Sequence, residues 1–163
     1  MKKQFLRGSE IKKIAQDMQN KYSIELLNKK DKIEVVETED ITVLLKNDAP
    51  LLFKHKTEEN GEIKEEWIPT LKTIFSAEIK LKKITVDKGA IKFVLNGADI
   101  MRPGITQIEP GIEKNELILI IEELQNKPLA LGIALYDSEE MKTKEQGKVI
   151  ENIHCLNDKI WNF

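Results

Sequence analysis

Two apolar runs lie close together in the second half of this chain, Leu117–Ile121 and Leu129–Tyr136, with the polar stretch Gln125–Pro128 between them. Neither run admits a charged residue, so neither can lie on a wet surface with one face exposed. Runs of this length, rich in Leu and Ile, read as strands buried on both faces. Two such strands fit the centre of a small closed barrel, in which short strands avoid exposed edges. Leu117–Ile121 is also the longest strictly apolar run. A membrane span needs about 18 such residues or more, and the opening Lys2-Lys3 is not followed by a signal-peptide apolar core. The expectation is a soluble, cytoplasmic protein. With 40% apolar and 33% charged residues over 163 positions, the chain can build a core, and wholesale disorder is excluded. One domain, or two small ones, is the expected size class.

The first half reads as a helix followed by a small, curved antiparallel sheet. Ser9 is the expected N-cap of a helix to about Lys21, with Ile11, Ile14, Ala15 and Met18 inward and Tyr22 continuing the stripe. Extended segments follow at Ile33–Val36, Ile41–Leu45 and around Leu51–Phe53, punctuated by Asp48 and Pro50. Thr57–Gly61 reads as a polar turn, and Pro69-Thr70 precedes a short helix bearing Leu71, Ile74 and Phe75. The texture changes near Ala77. Ile79, Leu81 and Ile84 alternate with Lys80, Lys82 and Lys83 as in a strand with one basic face. Asp87 caps a short helix carrying Ala90, Ile91, Val94 and Leu95 inward, and Gly97 ends it. Ile100-Met101 form a brief strand, Pro103-Gly104 and Pro110-Gly111 turn the chain, and Asp137–Gly147 is a partial helix plus turn. Val149 to Leu156 and Ile160 to Phe163 are expected to supply the closing strands.

Motifs for chemistry are thin. Cys155 is alone, so no internal disulfide or Cys-rich metal site exists, and His55 and His154 are far apart in the chain. No phosphate-binding glycine loop, His-Glu-x-x-His pair or nucleophile elbow occurs. Glu122-Glu123 and Glu139-Glu140 are adjacent pairs, read as surface charge. No catalytic residue, metal ligand or cofactor is expected.

Charge is what the totals conceal. The chain carries 26 basic and 28 acidic residues, yet Lys80 to Arg102 holds six basic residues against Asp87 and Asp99. From Pro103 onward there are six basic and eleven acidic residues, and the first thirteen positions hold five basic against Glu10. Two basic patches on a mildly acidic chain steer toward phosphate, whereas a solvated Lys-rich face is the bland account of the same count. Lys88 and Lys92 sit one helical turn apart and point the same way. With Arg102 beyond Gly97, they would surround a backbone-rich loop suited to single-stranded or splayed nucleic acid.

Val86-Asp87-Lys88-Gly89-Ala90 and Leu95-Asn96-Gly97-Ala98-Asp99-Ile100-Met101-Arg102-Pro103-Gly104-Ile105 resemble the opening of a PUA domain, a pseudo-barrel RNA-binding module. The closing run Gly147–Asp158, with Asp87–Leu95 and Pro69-Thr70-Leu71, is similar to the malignant T-cell-amplified family, known in yeast as a translation-machinery-associated factor. The resemblance covers nearly the whole chain and looks like an archaeal-type member. It implies an α+β protein, with a pre-PUA domain at about 1–75 and a PUA pseudo-β-barrel at about 78–163. It also implies a non-enzymatic RNA-binding factor working with the small ribosomal subunit and tRNA in initiation or recycling. The front domain would meet the subunit or a protein partner, no membrane would be involved, and the chain would be a monomer.

Carried onto this chain, the PUA groove falls on Lys88, Gly89, Lys92, Gly97, Ala98, Asp99, Met101, Arg102 and Pro103, with Ile150 to His154 as the opposite wall, Asn152 and His154 included. Lys88, Lys92 and Arg102 would meet phosphates, and Arg102 could instead fork onto a base edge. Gly97 would allow close backbone approach, while Asp99 or Asn152 would select by hydrogen bonding. Each glycine is otherwise a turn requirement, and His154 is equally a structural hydrogen-bonding residue. Arg102 departs from the eukaryotic members, which tend to have Cys there. Two alternatives stay open: an accessory of an RNA-modification enzyme, and a protein-interaction module with an unused groove.

Overall fold

A computed structural model describes residues 1–163. The chain divides into two compact units, Met1–Lys80 with Phe163, and Leu81–Asn162. The first is a five-stranded antiparallel meander, β1 (Lys2–Phe5), β2 (Ile33–Glu37), β3 (Thr42–Lys46), β4 (Ala49–Glu59) and β5 (Glu62–Pro69), strands neighbouring in chain order. Helices α1 (Gly8–Tyr22) and α2 (Leu71–Ser76) complete it. Met18, Leu27, Leu44, Leu52, Ile68 and Leu71 are its largest fully buried side chains.

Turn chemistry sets the register. Asn47-Asp48 (φ 50° and 70°) and Asn60-Gly61 (φ 54° and 79°) are two-residue connections with both residues left-handed, the type I′ geometry that suits the twist of a hairpin. Pro50 therefore lies inside β4, not between strands, and the β3–β4 register shifts beside it. Thr57–Glu59, expected within a turn, extend β4. They are polar because both faces of this ribbon are wet, where Glu65 meets Lys54 (3.5 Å) and Lys56 (3.4 Å). Helix α1 starts one turn's edge earlier than Ser9: Arg7 is the N-cap, and its N–H donates to the Glu10 carboxylate at 3.2 Å. Strand β1 has no apolar pattern and is an exposed edge paired to β2.

The second unit contains β6 (Lys83–Val86), a 3₁₀ turn (Lys88–Ala90) leading into α3 (Ile91–Leu95), β7 (Ile100–Met101), β8 (Ile105–Ile108), β9 (Leu117–Glu122), β10 (Pro128–Ala134), α4 (Ser138–Thr143) and β11 (Lys148–Cys155). The strand order β7-β11-β10-β9-β6-β8 makes a nearly closed mixed barrel in which only β6 and β9 run parallel. Every residue of β9 is buried, the apolar run Leu117–Ile121 and Glu122 at its end alike. Ile84, Ile118, Ile120, Ala130, Val149 and Ile150 fill the centre. The α+β architecture, a sheet with a helix followed by a pseudo-barrel, is the one expected.

Three local expectations are corrected. Ile79–Lys82 form no strand. The Lys82 ammonium turns onto the Gly111 carbonyl (2.7 Å) and Glu116 (3.4 Å), so no basic strand face exists there. Ile160–Phe163 form turns instead of a closing strand. Asn157 is left-handed (φ 66°), and the Asp158 carboxylate gathers the N–H groups of Cys155 (2.9 Å) and Trp161 (2.8 Å), which stops β11. Glu122 is not surface charge. It is 6% exposed, and its carboxylate accepts from the N–H groups of Gln125 (2.7 Å) and Lys127 (2.9 Å), building the β9–β10 turn. The Lys127 N–H chiefly holds its carboxyl below the usual range, against the burial that acts to raise it.

Candidate nucleic-acid interface

The candidate site is built on the segment from Asp87 to Pro103 and on β11. Asp87 accepts the Ala90 N–H at 2.9 Å and so starts the helical segment as expected. Val94 is buried beneath it, with Ala90, Ile91 and Leu95 half-buried. That leaves Lys88, Gly89, Lys92, Phe93 and Asn96 exposed. Gly97 (φ 88°) takes the left-handed conformation that closes the helix, and the N–H groups of Gly97 and Ala98 return to the carbonyls of Val94 and Phe93, each at 3.0 Å. The Lys88 N–H donates to the Glu123 carboxylate at 3.1 Å, and neither the Lys88 nor the Lys92 ammonium enters an ion pair, so both stay available to an anionic ligand.

Across from this loop, β11 pairs with β7. The Asn152 side-chain amide donates to the carbonyls of Val94 and Ala98, each at 3.0 Å. The Asn152 N–H donates to Asp99 at 2.9 Å, and the second Asp99 oxygen lies 3.4 Å from the Lys148 ammonium. Asp99 and Asn152 thus hold the Gly97 loop to β11. Arg102 is half-buried and similarly committed, its Nε donating to the Met141 carbonyl at 2.9 Å and its Nη1 to the Ile105 carbonyl at 3.4 Å. His154 is 2% exposed, and its Nδ1 lies 2.8 Å from Asp158. Burial acts to raise the Asp158 carboxyl. The hydrogen bonds from His154, Trp161 and Cys155 outweigh it and hold the group below its ordinary value. Burial and the Asp158 charge push the Cys155 thiol up, which keeps it protonated and inert.

Between Leu95–Gly97 on one side and Asn152–Cys155 with Asp158 on the other lies a cavity of about 330 Å³. The structure therefore sorts the expected residues. Lys88, Gly89, Lys92, Gly97, Ala98, Met101 and Pro103 are exposed along the loop. Of these only Gly97 lines the cavity, where it is joined by Asn152 and His154; Lys88, Gly89, Lys92, Ala98, Met101 and Pro103 lie outside it, Asp99 sits behind the loop and Arg102 is turned toward α4. Phe93, 63% exposed, lies off the inward face that the helical period sets, but the sequence reading gives it no role, because the charge pattern draws the candidate site to the lysines.

Residues 82–156 match the PUA domain, and residues 2–76 match a domain of unknown function, DUF1947. A protein of Methanocaldococcus jannaschii is 35% identical over 99% of this chain and 96% of its own length. Translation machinery-associated protein 20 of Saccharomyces cerevisiae is 39% identical over 85% of this chain and 76% of its own. The chain belongs to the family of translation machinery-associated protein 20 and the malignant T-cell-amplified sequences. The crystal structure of a hypothetical protein from the hyperthermophilic archaeon Pyrococcus horikoshii OT3 is 32% identical and superposes with a TM-score of 0.72 over 99% of this chain and 98% of that one. The family's two-part architecture thus spans this chain, and the loop, helix and final strand of the site all fall within its PUA part.

Proposed function

We propose that this protein is a non-catalytic, RNA-binding factor of the translation apparatus. It engages tRNA or small-subunit rRNA through the groove between the Lys88–Pro103 segment and β11. The pre-PUA part, about residues 1–75, meets the small ribosomal subunit or a protein partner, and the PUA part, about 78–163, carries the groove. The observation that carries this reading is the free, outward Lys88 and Lys92 pair beside a left-handed Gly97 loop, within a match to the PUA domain. The translation role draws its support from the name of the yeast relative, translation machinery-associated protein 20. Lys88 and Lys92 supply phosphate contacts, while Asp99, Asn152, Arg102 and His154 keep the groove in shape.

The test is co-sedimentation with purified small ribosomal subunits, with and without initiator tRNA, at about 50 and 200 mM salt. Saturable binding with tRNA-dependent retention, lost in Lys88→Glu/Lys92→Glu, is the expected result. No association with subunits at either salt overturns the translation reading. Binding to free tRNA alone would move the function to an accessory of tRNA modification.

A further inference from the structure

We infer that Phe93 is a stacking platform for one unpaired RNA base, so that this face selects single-stranded RNA over duplex. The inference rests on the RNA-binding reading of the same face. Phe93 is 63% exposed although the short helix has Val94 to fill the core. Isolated exposed apolar residues are ordinary, so exposure alone decides nothing. Placement decides it. Gly89 in the 3₁₀ turn, Lys92 and Phe93 in α3 and Asn96 just beyond it follow one another at i, i+3, i+4 and i+7, and all four are exposed.

Helical side chains lean toward the N-terminal turn, which puts Phe93 on the side of the segment where Gly89 lies. That position is open: apart from its chain neighbours and the helix backbone, a Cβ there would meet only Asp87 Oδ1, at 3.4 Å. With 63% of its surface exposed, the Phe93 ring is open to a planar group arriving from solvent on this side. Lys88 and Lys92 border the seat with two unpaired ammonium groups, which suits the phosphates on either side of a stacked base. At the C-terminal end of the same face, Asn96 and Gly97 form one lip of the cavity of about 330 Å³. That size is at the low end of small-molecule sites, room for a neighbouring base and not for a folded ligand. Bases held in a duplex cannot enter such a seat, whereas splayed bases can.

The full chain is titrated by fluorescence with a single-stranded RNA of about 12 nucleotides carrying one 2-aminopurine, and with the same strand annealed to its complement. Wild type should prefer the single strand and quench the 2-aminopurine. Phe93→Ala should weaken binding about five- to hundredfold and abolish the quenching, while leaving the slope of log K against log salt unchanged, since stacking releases no counterion. Phe93→Tyr should retain affinity and quenching. Gly89→Leu, which fills the seat while sparing the ring and both lysines, should reproduce the loss. Lys88→Gln/Lys92→Gln should instead make the slope shallower by about 1.4. Unchanged binding by Phe93→Ala or Gly89→Leu, with the lysine variant still weakened, overturns the stacking inference and leaves the groove reading standing. Failure of wild type to bind either RNA overturns both.

Discussion

Asn152→Ala separates a groove held together by its own hydrogen bonds from one whose amide is free to read a base. The variant removes two neutral hydrogen bonds, to Val94 and Ala98, each 3.0 Å long. Each such bond contributes about 1 kcal/mol net. The large additional cost of an orphaned buried acceptor does not apply. The Val94 carbonyl keeps the Gly97 N–H, and the Ala98 carbonyl lies at an exposed position open to water. The N–H of residue 152 keeps Asp99. The expected loss is about 1–2 kcal/mol, with the strand register intact. Trp161 lies in the second unit, so urea unfolding followed by its emission in a Trp67→Phe background reads the affected unit. Amide exchange at Gly97–Asp99 should accelerate with it. Asn152→Asp should be worse than Ala at neutral pH, because a second carboxylate then faces Asp99 and two carbonyl oxygens. That excess should fade as the pH falls through the carboxylate range. A loss below about 0.3 kcal/mol, with unchanged exchange in the loop, would refute the reasoning and return Asn152 to the base-reading role.

Gly132→Ala should destabilise the barrel by about 1–3 kcal/mol in the same unfolding assay, because the new methyl would overlap Cγ2 of the fully buried, β-branched Ile150 and lie 3.1 Å from the Glu151 carbonyl oxygen. Arg102→Ala should cost about 1–2 kcal/mol by removing its hydrogen bonds to the Ile105 carbonyl and to the Met141 carbonyl, which keeps the Lys144 N–H at 3.2 Å. Its effect on RNA affinity, read by fluorescence titration, should be smaller than that of Lys92→Ala. Asp158 has a lowered carboxyl pKa in the folded state, so its contribution is present above the unfolded value, near 4, and is lost as the pH falls through the folded value. Stability measured against pH should therefore drop below about pH 4 in wild type and drop less in Asp158→Asn, which starts lower at pH 7.

The barrel was legible because β9 and β10 are buried on both faces and are apolar along their length, save for Glu122 at the end of β9, so their composition declares them. The start and end of the helical segment 88–95 were legible for a different reason: Asp87 and Gly97 are the residue types that a cap and a left-handed stop demand. Strand β1 was not, since an exposed edge strand imposes no apolar pattern and depends only on backbone pairing with a partner some thirty residues away. The roles of Glu122, Arg102 and Asp158 were equally hidden. Each satisfies backbone N–H or carbonyl groups, which carry no side-chain signature, and the Met141 carbonyl met by Arg102 is 39 positions distant. In the groove, the basic count finds Lys88 and Lys92 and the helical period sets Val94 inward, but the exposure of Phe93 gains a role only once its neighbours are placed.

The central claim, that RNA lies along the Lys88–Pro103 segment and β11, is tested most directly by amide chemical-shift mapping of the ¹⁵N-labelled full chain titrated with deacylated tRNA. The account predicts that the perturbed amides concentrate at Lys88–Pro103 and at Asn152–Ile153, and that Lys88→Gln/Lys92→Gln weakens the same shifts in step. Shifts confined to the β4–β5 ribbon or the acidic α4, with the Lys88–Pro103 amides unmoved at saturation, would contradict it.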